Sequence, residues 1–149
     1  MNYFSLSNQG LHAKTVSAST SEKRATLALL EYLAEVDRRH LYAERGFSSL
    51  WMYVHKELEY SEAQTSERIG TMRLMIKVPE VKERLASQQL SLTSAAKLAT
   101  FVRREKTSIA KTLQLLNQVT GKSSRQVERL LLTEQQIPDA RPDLIKVTG

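Results

Sequence analysis

Apolar residues recur at steps of three and four along almost the whole 149-residue chain, and no stretch longer than four residues alternates in the period of a strand. A chain patterned in this way hides its apolar surface by packing helix on helix, so the sequence predicts an all-α fold, a compact domain of about seven helices. Capping chemistry sets the expected boundaries. Ser19-Thr20-Ser21-Glu22, Ser61-Glu62-Ala63-Gln64 and Ser123-Ser124-Arg125-Gln126 each offer a hydroxyl to an orphan N–H and, three residues on, a side chain able to reach back.

The first of these boxes opens a helix over residues 21–43, with Leu27, Leu30, Leu33, Val36 and Leu41 on one side and Gly46 ending it. Residues 1–20 mix Ser, Asn, Gly and Thr without a period and are expected as a loosely ordered N-terminal arm. Ser48 or Ser49 starts a second helix through Leu58, and Ser61 a third whose inward stripe is Thr65, Ile69, Met72 and Ile76. Pro79 suits the first turn of a short fourth helix. Ser91 or Thr93 starts a fifth, Thr107 or Ser108 a sixth closed by Gly121, and Ser123 a seventh. Ile137-Pro138 and Arg141-Pro142 break the pattern, so residues 21–133 read as the domain and residues 134–149 as a tail or linker.

What is missing narrows the chemistry. There is no Cys, and His12, His40 and His55 are scattered over the first third, which excludes a zinc finger, a thiol nucleophile and an HExxH site. No GxxxxGK[ST], GxGxxG or GxSxG motif occurs. The chain reads as a non-enzyme that needs no metal or cofactor. No apolar run approaches the roughly 18 residues of a membrane span, and the N-terminus lacks an apolar core with a cleavage site. A cytoplasmic protein without a membrane partner is the expectation.

The net charge is +6, from 22 Lys and Arg against 16 Asp and Glu, and it is unevenly placed. Residues 1–60 hold 7 basic and 7 acidic side chains, residues 61–110 hold 9 and 5, and residues 111–149 hold 6 and 4. The excess therefore sits mainly on the third to fifth helices, through Arg68, Arg73, Lys77, Lys82, Arg84, Lys97, Arg103, Arg104 and Lys106. Such a face attracts phosphate, and it also serves as an ordinary solvated surface.

The second and third helices are joined by little more than Glu59-Tyr60, the spacing of a helix-turn-helix. In such a unit the N-terminal half of the second helix enters the major groove of double-stranded DNA. On that reading Gln64, Arg68 and Thr71 lie off the apolar stripe and face the bases, with Ser61 at the helix start, while Arg73 and Lys77 reach phosphates. Arg103 and Arg104 complete the candidate DNA-binding set. A left-handed turn at Glu59 in place of Gly would cost about 1 kcal/mol.

Two resemblances bear on function. Val78-Pro79-Glu80-Val81-Lys82-Glu83-Arg84-Leu85, followed by Gln89-Leu90-Ser91-Leu92-Thr93-Ser94-Ala95-Ala96-Lys97-Leu98, resembles the segment after the recognition helix in ParB-type partition proteins. A broader set comprises Leu11-His12-Ala13-Lys14-Thr15, Glu35-Val36-Asp37-Arg38-Arg39, Leu41-Tyr42-Ala43-Glu44-Arg45-Gly46-Phe47-Ser48-Ser49-Leu50, Glu57-Leu58-Glu59-Tyr60-Ser61-Glu62 and Gly121-Lys122-Ser123-Ser124-Arg125-Gln126-Val127-Glu128. Together these resemble the N-terminal helical region of bacterial HNH endonucleases. The resemblance implies a DNA-targeting role, with the nuclease a separate C-terminal ββα-metal module, so that no residue here inherits catalysis.

The competing expectation is a helical interaction module, in which exposed Met72, Leu74 and Met75 form a homodimer or partner interface. A stand-alone transcriptional or nucleoid regulator is a third. Trp51, Tyr53, Phe47 and Tyr60 are expected in the core rather than stacked on bases. Arg38, Arg39 and Arg45 are expected to pair with Glu35, Asp37 and Glu44.

Overall fold

The computed structural model describes residues 2–136, which form eight α-helices and no strand among the described residues. After a 3-10 turn at Tyr3–Ser5 come α1 (Asn8–Arg39), α2 (Leu41–Glu44) and α3 (Leu50–Met52), which winds on as a π turn over Tyr53–Glu57. Then follow α4 (Glu62–Lys77), α5 (Glu80–Ala86), α6 (Leu92–Glu105), α7 (Ile109–Val119) and α8 (Ser124–Gln136).

Most starts fall where serine chemistry places them. The Oγ atoms of Ser49, Ser61, Ser91 and Ser108 each accept an N–H three residues on. The boxes at Ser61 and Ser123 are complete, because Gln64 and Gln126 each accept the N–H of their serine, at 3.0 and 2.9 Å. Pro79 precedes α5, and Gly121 takes φ 78° after α7.

The N-terminal arm is a correction. Residues 8–20 are helical, and α1 begins at a cap made by the Ser7 Oγ on the Gly10 N–H, so the box at Ser19 is passed over inside a 32-residue helix. Its hydroxyls stay within the helix by bonding back one turn: Thr15 to the Leu11 carbonyl at 2.8 Å and Thr26 to that of Glu22 at 3.0 Å. No residue of α1 before Leu30 is fully buried. α1 also ends earlier than residue 43, at His40 with φ 55°. The expected tail starts later, since Glu134, Gln135 and Gln136 belong to α8, and residues 137–149 lie outside the described residues.

α4 lies at the centre, packed by α1 on one side and α6 on the other, and α6 in turn carries α8. Two covered sides explain why α4 buries Thr65, Ile69 and Met72 together with Thr71, Leu74 and Met75. Ile76, expected inside, is 61% exposed. The same geometry removes the expected dimer face: Met72, Leu74 and Met75 are core residues against α1 and α6, not an exposed patch. Leu30 and Leu33 of α1, Val81, Leu98, Leu115, Leu116 and Val127 complete the core. Trp51, Tyr53 and Tyr60 pack against it half-buried, and Phe47 meets the Tyr53 ring edge-on at 5.9 Å.

Candidate nucleic-acid interface

Contacts along the long helices fix their direction. A Cβ placed on Gly70 would lie 3.7 Å from the Ala99 Cβ, and the Lys77 Nζ donates to the Thr107 carbonyl at 3.2 Å. Seven residues along α4 thus match eight along the α6 strand of contacts, so the two helices run parallel. Lys97 meets Glu128 at 3.5 Å and Arg104 donates to the Gln135 Oε1 at 3.5 Å, which makes α8 parallel to α6 as well. α5 and α7 return the chain between them.

The parallel arrangement gathers the C-terminal turns of α4 and α6 at one end of the molecule. Gly70, Arg73 and Lys77 fall on one stripe of α4, and the register brings Arg73 level with Arg103. Arg104 follows, its guanidinium carbon 6.0 Å from the Phe101 ring centroid, and Lys106 ends α6 in a left-handed cap with φ 51°. All five side chains are exposed, and none makes an ion pair among the described residues. Cations suit the last turn of a helix, where the carbonyl dipoles converge. Two parallel helices ending together place five of them side by side, with Glu105 the one acidic residue in the same run. A groove of about 500 Å3 between α4, α6 and α8 leads up to Arg103 and Arg104 over the small residues Ser66, Gly70, Ala96 and Thr100, with Glu67 and Glu128 also in its walls.

Elsewhere the cations are more scattered and several are paired, although Lys14, Lys23, Arg24, Lys56, Arg84, Lys122, Arg125 and Arg129 also form no ion pair among the described residues. Glu35 accepts from both Arg38 and Arg39, and these guanidiniums hold its carboxyl down at about 2. Arg45 pairs with Glu57 at 2.7 Å rather than with Glu44, and its own pKa is raised by that carboxylate. Lys82 meets Glu31 at 3.1 Å, and Lys111 meets Glu134 at 3.3 Å.

The candidate DNA-binding residues therefore separate into three groups. Arg73, Lys77, Arg103 and Arg104 share the exposed end just described, joined by Lys106, which the sequence places among the cations of the basic excess but not in the candidate DNA-binding set. Ser61 and Gln64 are exposed at the start of α4 and spent on each other in its capping box. Thr71 and Arg68 are corrections. Thr71 is completely buried, because it lies under a covering helix and not on an open face. Arg68 is 15% exposed at its side chain, with its guanidinium carbon 4.4 Å from the Tyr60 ring centroid and Nη1 donating to the Gln64 carbonyl at 3.3 Å. Glu67, 3.8 Å from that Nη1, is its nearest carboxylate.

The connection before α4 does contain the strained turn: Glu59 has φ 60°, and the His55 Nδ1, 2.6 Å from the Tyr60 carbonyl oxygen, ties the loop to the π turn. Trp51 donates from Nε1 to the Ser66 Oγ at 3.2 Å, so α3 leans on the first turns of α4. Among the described residues no group of three or more His, Asp or Glu side chains is placed to hold a metal ion, and no helix is long and apolar enough to cross a membrane. Comparison with protein-family models, curated proteins and solved structures finds no match to this chain.

Proposed function

We propose that this chain binds double-stranded DNA through the basic end formed by α4 and α6, and that it serves as the non-catalytic targeting part of an HNH-type endonuclease or of a relative without the nuclease. One observation carries the reading: Arg73, Lys77, Arg103, Arg104 and Lys106 are exposed together at the ends of two parallel helices and free of carboxylate partners. Unpaired cations at adjacent helix ends recognise the phosphate backbone and carry little sequence information. Base readout by Arg68 and Thr71 is no part of the proposal. The resemblance to the helical region of HNH endonucleases supplies the biological setting.

Anisotropy titration of a labelled 20-base-pair duplex at several salt concentrations tests it. With about four phosphate contacts, log affinity falls against log salt with a slope near −3.6, that is roughly −0.9 per contact. Replacing both Arg103 and Arg104 by Ala lowers the slope by about 2, whereas Lys82→Ala, which removes a paired cation, leaves it unchanged. Absence of measurable binding at about 50 mM salt, or an Arg103→Ala/Arg104→Ala slope equal to that of the unaltered protein, overturns the reading.

A further inference from the structure

On the opposite side of α4, where α1 crosses it, Leu27 and Leu30 of α1, Leu85 of α5 and Leu90 and Leu92 at the start of α6 enclose a cavity of about 310 Å3. That is the lower end of the size range of small-molecule sites, and its lining combines the five leucines with six polar or charged residues, Glu22, Lys23, Thr26, Arg68, Gln88 and Ser91. Arg68 forms part of the wall. Tyr60 covers one side of its guanidinium, which fixes the plane of the fork.

The donors of that fork are largely unspent. Of five N–H groups one makes a hydrogen bond, to the Gln64 carbonyl, and the Nε is buried with no partner. The only carboxylate near this mostly buried guanidinium is that of Glu67, loosely placed at 3.8 Å from Nη1, so a better-placed anion would find donors still to spare. Two further features point the same way. Ser91 and Leu92, the N-terminal end of the 14-residue α6, also line the cavity, and a helix start favours negative charge. Lys23 stands at the mouth, its Nζ 3.5 Å from the Gln88 Oε1, while the one acidic lining residue, Glu22, is exposed at the rim.

We propose that this cavity binds a small organic carboxylate, its apolar body among the leucines and its carboxylate taken bidentately by Arg68. A planar carboxylate matches the held fork better than a spherical charge does. The proposal is independent of the duplex-binding reading, since none of the five cations of that interface lines this cavity.

Hexanoate, 1-hexanol and hexylammonium serve as probes on the full chain, followed by NMR of the leucine methyl groups and of the arginine side-chain N–H resonances. Hexanoate is expected to saturate, to move the Leu30 and Leu90 methyl signals and the Arg68 guanidinium N–H resonances, and to bind at least about tenfold more tightly than hexanol; hexylammonium is expected not to bind. Arg68→Met is expected to erase the preference for the acid while leaving hexanol binding in place. Equal affinity for hexanoate and hexanol in the unaltered protein, which needs no variant, overturns the proposal. So does the absence of saturation, or an Arg68→Met protein that still prefers the acid.

Discussion

Thr71 sits in the middle of α4 with its side chain completely buried and its Oγ1 without a hydrogen-bond partner. A buried hydroxyl left unpaired costs about 1–3 kcal/mol, and an apolar group of the same shape avoids that cost. Thr71→Val is therefore expected to leave urea-unfolding stability unchanged or raise it by about 1 kcal/mol, with duplex affinity unaltered. Weakened DNA binding at full stability would instead return Thr71 to the interface. The sequence misplaces Thr71 and Arg68 for one reason. A stripe at Thr65, Ile69 and Met72 implies one covered face, and every residue off it then looks free. α4 is covered on two faces, by α1 and α6, and nothing local to the helix records the second neighbour. Arg73 and Lys77 were legible because they are long cations near a helix end, where the dipole and solvent both favour them.

At the scale of the element, starts were more legible than lengths. A serine with Gln three residues on acts within a single turn, so the boxes of α4 and α8 could be read before any packing was known. The far end of a helix depends on which carbonyls find a partner. α1 stops at His40, in a left-handed conformation, after a turn in which Glu35 draws Arg38 and Arg39 onto itself. Those guanidiniums hold the Glu35 carboxyl at about 2, below its ordinary 4.5. A carboxyl depressed in the folded state stabilises it fully above the unfolded value and loses that contribution as the pH falls through the folded one. The advantage of the unaltered protein over Glu35→Gln is thus expected to be complete above pH 4.5 and to vanish as pH falls towards 2. Urea midpoints of the two proteins measured across that interval check it. A difference that stays constant throughout would mean that the pairing contributes nothing. Both guanidiniums are well exposed, so the effect is screened and should shrink further in high salt.

Over the whole molecule, the parallel run of α4, α6 and α8 decides what is joined to what. It assembles five unpaired cations at one end, and it leaves the first half of α1 outside the core. Deleting residues 2–18 tests that division. The deletion removes about 17 Å of helix from the start of α1, together with the turn before it, but no buried side chain. It also leaves Ser19 first in the shortened helix, where the Ser19-Thr20-Ser21-Glu22 box, passed over in the full chain, becomes available to the new terminus. Stability is expected to change by less than about 1 kcal/mol, with slowed hydrogen exchange at the Glu22 amide as the sign that the latent cap has formed. The duplex salt slope should hold, because Lys14 is the only Lys or Arg removed and it lies far along the chain from the α4 and α6 termini. A loss of several kcal/mol, or of cooperative unfolding, would instead show that residues 2–18 are packed in solution against a second molecule. The exposed Leu11 and Val16 are the side chains that such a contact would cover.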